Sequence, residues 1–156
     1  MENELEIKIN VLYVDDEVNN LSAFKATYRR LYNIYTAESA KEGRDILDEK
    51  DIEIILTDQR MPSVTGVEFL QSIIKDHPDP IRILVTGYSD VTAVIDAVNK
   101  GQIYRYIAKP WDNEDLKITI DKAFETFSLR KKNKVLTNDL IRVNKQLEFM
   151  LRQKLI

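Results

Sequence analysis

Five short runs dense in Val, Ile, Leu and Tyr, each followed by a stretch of helical periodicity, limit this chain to one broad architecture. The third run, Ile52–Thr57 (IEIILT), is apolar at successive positions, so both of its faces need cover. Ile7–Val14 and Ile81–Thr86 share that character, and Tyr32–Thr36 and Tyr104–Ala108 complete the set. A strand hidden on both faces belongs in a parallel sheet with helices on each side. The β-branched runs disfavour an all-helical reading. The pattern predicts an α/β fold, a doubly wound parallel sheet of five strands over roughly residues 5–127.

The intervening stretches carry helix signals. Leu21, Phe24 and Tyr28 share one side of a helix from about Asn19. Ser39 and Glu42 form a capping box for a helix to about Lys50, with Gly43, Ile46 and Leu47 inward. After a loop at Met61–Gly66, where Gly66 is free to take a positive φ, a helix is predicted from Val67 to about His77. Its inward residues are Phe69, Leu70, Ile73 and Ile74, Pro78 and Pro80 close it, and favourable contact with the helix dipole accounts for His77 at its end. Ser89 or Asp90 caps a fourth helix bearing Val91, Val94, Ile95 and Val98, which Gly101 ends. Asp112 and Asp115 open a fifth, with Leu116, Ile120, Ala123, Phe124 and Phe127 toward the sheet.

Composition removes several function classes. With no Cys and one His, the chain has no disulfide framework, cysteine nucleophile, thiolate metal centre or multi-histidine site. No apolar run reaches the roughly 18 residues a membrane span needs, and the acidic start Met1-Glu2-Asn3-Glu4 is unlike a signal peptide. A cytoplasmic protein with no membrane partner is the expectation. Neither GxxxxGK[ST] nor GxGxxG occurs, which disfavours a P-loop or dinucleotide site.

Ligands of open parallel sheets sit at the carboxyl ends of the strands. Those ends carry Asp15-Asp16, Asp58, Thr86-Gly87 and Lys109-Pro110. Each acid alone is an ordinary residue leaving a buried strand. Three carboxylates brought together repel, and a hard divalent cation relieves the conflict; oxygen-only ligands suit Mg²⁺. A free carboxylate, a hydroxyl and a lysine beside such an ion meet the needs of phosphoryl transfer to a carboxylate.

In order and spacing, Val14-Asp15-Asp16-Glu17, Asp58 with Met61-Pro62 and Gly66, Thr86-Gly87, and Lys109-Pro110-Trp111 resemble a two-component response-regulator receiver domain. The resemblance spans nearly all of residues 7–127 and implies a flavodoxin-like strand order, 2-1-3-4-5. It implies that Asp58 accepts a phosphoryl group from a sensor histidine kinase or a phosphotransfer protein. Mg²⁺ would be held by Asp16 and Asp58 directly, by Asp15 mainly through water, and by the backbone carbonyl of Arg60. Lys109, preceding a cis Pro110, would pair with the phosphoryl oxygens. Thr86 would swing inward onto them, and Tyr106 would follow as the second switch residue, altering the surface of helix four, strand five and helix five. Phosphoryl acceptance and self-dephosphorylation are the only chemistry implied, with no separate substrate turnover. Gly87, where the family often has Ala, and Gln59-Arg60 depart from the usual pattern without removing a required group.

The charge is uneven: residues 1–127 carry net −9 and residues 128–156 net +6. No Gly or Pro interrupts residues 112–156, so the fifth helix is expected to continue as an extended C-terminal helix. Leu129, Leu136, Val143 and Met150 recur every seven residues, interleaved with Asn133, Leu140, Leu147 and Lys154 as an a/d seam that Leu151 and Leu155 broaden. Asn133, read as a d-type position, would weaken the seam and help fix its register. The division expected is a receiver at 1–127 and a coiled-coil linker or dimerisation segment at 128–156, forming a parallel homodimer. No direct nucleic-acid contact is expected, because the basic residues are scattered around the helix without a reading motif. The expected whole is a longer regulator with its output domain elsewhere. The alternatives are a free-standing receiver acting by partner docking, a scaffold without phosphorylation, and an Mg²⁺-dependent aspartyl phosphatase.

Overall fold

The computed structural model describes residues 7–87 and 91–154. The expected cap at Ser89 or Asp90, the acidic start and Leu155 lie outside the described residues. The elements are β1 (Asn10–Val14), α1 (Val18–Tyr28), β2 (Asn33–Ala37), α2 (Ala40–Glu49) and β3 (Ile54–Asp58). They continue as α3 (Gly66–Ile73), β4 (Ile81–Thr86), α4 (Val91–Asn99), β5 (Arg105–Ala108) and α5 (Asn113–Lys154). All strand pairs are parallel, in the order β2-β1-β3-β4-β5. The expected fold class and strand order are those observed.

Alternation along each strand divides the core between the two faces of the sheet. Val11, Tyr13, Ile54, Leu56, Ile83 and Val85 pack with Leu21, Phe24 and Tyr28 of α1 and Leu116, Ile120 and Ala123 of α5. Leu12, Val14, Ile55 and Leu84 pack with Leu47, Phe69, Leu70, Ile73, Val94 and Ala97 from α2, α3 and α4. On the first face an aromatic ladder runs from Tyr13 to Phe24 (4.9 Å between ring centroids), Tyr28 (4.9 Å) and Tyr32 (6.0 Å). Tyr28 donates its hydroxyl proton to the Asn113 carbonyl (2.7 Å) and Tyr32 to the Asp121 carboxylate (2.8 Å), tying α1 to α5. Burial raises the Tyr28 hydroxyl pKa to about 12, so it stays a donor.

Several local expectations shift. Strand β1 starts at Asn10, and Ile7 is 92% exposed, because the chain joins the sheet only where Asn33 and Glu53 offer partners. The Ser39 hydroxyl accepts from Glu42 N–H as expected, but the Glu42 carboxylate reaches back to Glu38 N–H. Helix α3 ends at Ile73 instead of His77. His77 pairs with Asp48 (2.7 Å), which joins the end of α2 to the loop after α3 and replaces the expected dipole contact. On α4, Val94 and Ala97 are buried while Val91 and Ile95 point outward. Gly101 does end that stretch with φ +71°.

Helix α5 is one uninterrupted element of 42 residues. Asp112 accepts from Glu114 N–H (2.9 Å) and Asp115 N–H (3.1 Å) at its start. Leu116, Thr119, Ile120 and Ala123 are buried, Phe124 and Phe127 are half-buried, and every described residue after Ser128 is exposed. Phe127, Arg130, Lys131 and Lys134 line a groove of about 660 Å³ against the base of the body, with Lys134 3.9 Å from Asp79. Among the described residues, no helix is long and apolar enough to cross a membrane.

Gly66 is needed for a reason other than the positive φ open to a glycine, which Ser63 takes instead (φ 72°). A Cβ at Gly66 would overlap the Asp58 carbonyl oxygen and lie 2.7 Å from Leu84 Cδ1. Gly66→Ala is therefore expected to destabilise the fold by about 1–3 kcal/mol in urea denaturation, because backbone must yield to admit one methyl.

Candidate functional site

Strand register gathers the candidate site residues before any side chain is considered. Val14 is level with Thr57, so Asp15 and Asp58 leave the sheet side by side. Asp58 is level with Val85, placing Thr86 one step beyond it, and Thr86 is level with Ala108, which precedes Lys109. Apart from half-buried Asn10 and Arg82 near their starts, the central strands are buried up to these positions, and the acids and the lysine collect at one edge.

Carboxylate oxygens of Asp15, Asp16 and Asp58 all lie within 4.8 Å of one another. Lys109 Nζ stands 3.0 Å from Asp58 Oδ1 and 3.5 Å from Asp15 Oδ2, and the Lys109–Pro110 peptide is cis. Asp15 is wholly buried and firmly held: Tyr13 Oη donates to Oδ2 (2.8 Å), Asn20 Nδ2 donates to the same oxygen (3.1 Å), and Glu17 N–H donates to Oδ1 (2.9 Å). Asp16 is exposed, and Asp58 is 9% exposed.

Burial raises the Asp58 pKa; Lys109 pulls it down without cancelling the rise, and Asp15 adds to it. For Lys109 burial acts downward, but Asp58 and Asp15 outweigh it and hold the ammonium charged. One lysine against three acids leaves the cluster short of positive charge. The donor set is all oxygen, closely spaced and partly open at Asp16, which fits a hard divalent cation such as Mg²⁺.

The remaining expected residues surround this cluster. Thr86 is 2% exposed, and its hydroxyl donates to the Gly87 carbonyl (3.1 Å) instead of to Asp58. Tyr106, on β5 level with Leu84, is 41% exposed. Arg60 lines an open cleft of about 370 Å³ together with Asp16, Gln59, Met61, Pro62 and Thr65. Gly87 has open space where a Cβ would stand.

Three supporting residues escaped the sequence reading. Tyr13 sits two residues before Asp15, on the same side of the strand, and its edge meets Trp111 (6.2 Å, 78°). A hydroxyl within the apolar stretch Val11–Val14 was the available signal. Asn20 reaches back from α1 to Asp15, a partnership that no local pattern announces. Gln59, noted above only as a departure from the family pattern, is buried and holds the start of α3: its side-chain oxygen accepts from Val67 N–H (2.9 Å) and its carbonyl from Gly66 N–H (3.0 Å).

The family profile for the response regulator receiver domain matches residues 11–121. The chain is similar to the hydrogenase transcriptional regulatory protein HoxA of Cupriavidus necator, with 40% identity over 120 residues, 77% of this chain and 25% of that protein. It is similar to the transcriptional regulatory protein ZraR of Escherichia coli K12, with 29% identity over 74% of this chain and 26% of that protein. The chain thus spans about a quarter of the length of the curated relatives it matches. Among solved structures it resembles one described as an adenylate cyclase from Rhodopirellula baltica (TM-score 0.82, 28% identity, 85% of this chain and 98% of that one). It also resembles a response regulator receiver domain protein from Clostridium thermocellum (TM-score 0.73, 31% identity, 78% and 98%). With its sheet order, its acidic strand ends and these relatives in agreement, the chain belongs to the response-regulator receiver family.

Proposed function

We propose that this chain is a phospho-accepting signalling receiver in which Asp58 takes a phosphoryl group from a histidine kinase or phosphotransfer protein. The observation that carries the reading is the placement of Asp58: nearly buried at the end of β3, 3.0 Å from Lys109 Nζ and clustered with Asp15 and Asp16. Receivers of this family obtain their phosphoryl groups from histidine kinases. An Asp58 oxygen attacks the phosphorus of a phosphohistidine, forming an O–P bond while the P–N bond breaks and the imidazole leaves with the electron pair. Lys109 orients Asp58 and neutralises phosphoryl oxygens. Asp16 and Asp58, with the Arg60 carbonyl, would hold Mg²⁺ directly and Asp15 would support it, the ion supplying charge stabilisation for the transferring oxygens.

Phosphorylation adds charge and acceptor oxygens beside Thr86. In the acceptor-ready arrangement the Thr86 hydroxyl is engaged by Gly87 and Tyr106 stands half out of the surface. Turning Thr86 toward a phosphoryl oxygen frees the Gly87 carbonyl and lets Tyr106 pack inward. The surface of α4, β5 and α5 then presents a second form, which α5 hands to an output module. Names of relatives favour a transcriptional or enzymatic output. We further infer that residues 128–156 dimerise the chain, since Leu129, Leu136, Leu140 and Leu147 are 51–67% exposed along one helix side.

Treatment with a small-molecule phosphodonor and Mg²⁺ is expected to add one phosphoryl group to the chain by intact mass and none to Asp58→Ala; equal modification of the variant would overturn the assignment. Because the folded protein raises the Asp58 pKa, the stability Asp58 contributes is present at low pH and is lost as pH rises through its folded value. In the absence of divalent cations at neutral pH, Asp58→Asn is therefore expected to melt higher than the parent chain, and Mg²⁺ is expected to raise the melting temperature of the parent more than that of the variant. Deleting residues 130–156 is expected to shift the chain toward monomer in sedimentation at several concentrations.

A further inference from the structure

The seam on the long helix has a polarity that its spacing reveals. Leu129 to Asn133 is a step of four residues and Asn133 to Leu136 a step of three. In a heptad the step from a to d is three and from d to a is four, so Asn133, Leu140, Leu147 and Lys154 are the a positions. Leu129, Leu136, Val143 and Met150 are the d positions, which reverses the assignment expected above and moves Asn133 from d to a.

We propose that this seam is a parallel, in-register interface with a second copy of this chain, and that Asn133 sets its register by pairing with the partner's Asn133; this rests on the dimer reading given above. The body leaves that side of the helix free. Phe127, Arg130, Lys131 and Lys134 mark the side of α5 turned to the base of the body. At about 100° per residue, Leu129, Leu136, Leu140, Val143 and Leu147 project well away from that side. They remain 43–67% exposed, forming an apolar stripe along α5.

Self-complementarity identifies the occupant. Parallel pairing opposes a to a and d to d, so Leu meets Leu and the Asn133 amide, both donor and acceptor, meets its own copy. Antiparallel pairing opposes a to d and would bury the amide against an apolar side chain with no partner. Lys132, Asp139 and Gln146 at g positions face the partner's Thr137, Asn144 and Leu151, so no like charges oppose. Lys154, at the last a position, extends its charged end past the seam into water.

The absence of native cysteine makes the test direct. Full-length chains carrying Leu129→Cys or Met150→Cys are first sized by sedimentation and then mixed under mild oxidation. A parallel seam links Met150→Cys chains to one another and Leu129→Cys chains to one another, with no mixed product above background. Mixed disulfides in a chain that sediments as a dimer would overturn the parallel orientation while leaving dimerisation intact. A chain that sediments as a monomer would overturn the dimer reading itself. Adding Asn133→Leu is expected to raise the melting temperature of the seam and to bring in mixed disulfides or higher oligomers. If that variant keeps only like-with-like links and the same mass, Asn133 does not set the register.

Discussion

Three carboxylates held at one edge of an apolar sheet, with one ammonium among them, are the constraint around which the rest of the molecule is arranged. Their closeness is unfavourable in isolation and is enforced by buried strands whose register cannot slip without exposing the core. Asp15 is immobilised by hydroxyl, amide and backbone donors, while Asp58 receives less compensation and keeps a raised pKa. The difference between these two neighbours separates a fully braced carboxylate from a less braced one, which suits the support and acceptor roles proposed above. Both are aspartates leaving adjacent strands, so their roles diverge through what surrounds them.

The support reaches beyond the acids. Tyr13 joins Asp15 to the aromatic ladder and to Trp111, at the turn into α5. Gln59 and Gly66 clamp the start of α3 against the Asp58 backbone. Asp58 is thus gripped on two sides. Under the reading proposed above, rigidity beneath the charge leaves the rearrangement to the Thr86 and Tyr106 side.

Much of this was legible in sequence because the strongest signals were periodic. The apolar runs marked every strand, and Asp15, Asp16, Asp58 and Lys109 fell at the strand ends where the sheet brings them together. What was illegible depended on contacts across the chain. His77 looked like a helix end, but its partner is Asp48, a residue on another helix. Gly66 looked like a turn glycine, yet it is small because the Asp58 carbonyl occupies the space. Of the apolar residues on α4, Val94 is buried but Val91 and Ile95 are exposed, a split between flanks that the run of apolar residues alone does not reveal. The a and d labels were recoverable from spacing alone.

Helix α5 passes from the body into the exposed seam with neither Gly nor Pro to bend it. Its first turns are bolted by Tyr28 and Tyr32, whose hydroxyls grip the Asn113 carbonyl and the Asp121 carboxylate. Such a rod behaves as a lever whose short arm lies on the sheet. With a long arm of roughly 40 Å, a tilt of about 5° sweeps its tip through an arc of about 3 Å, comparable to half a helical turn. A sub-ångström rearrangement at the sheet edge therefore reaches the far end magnified.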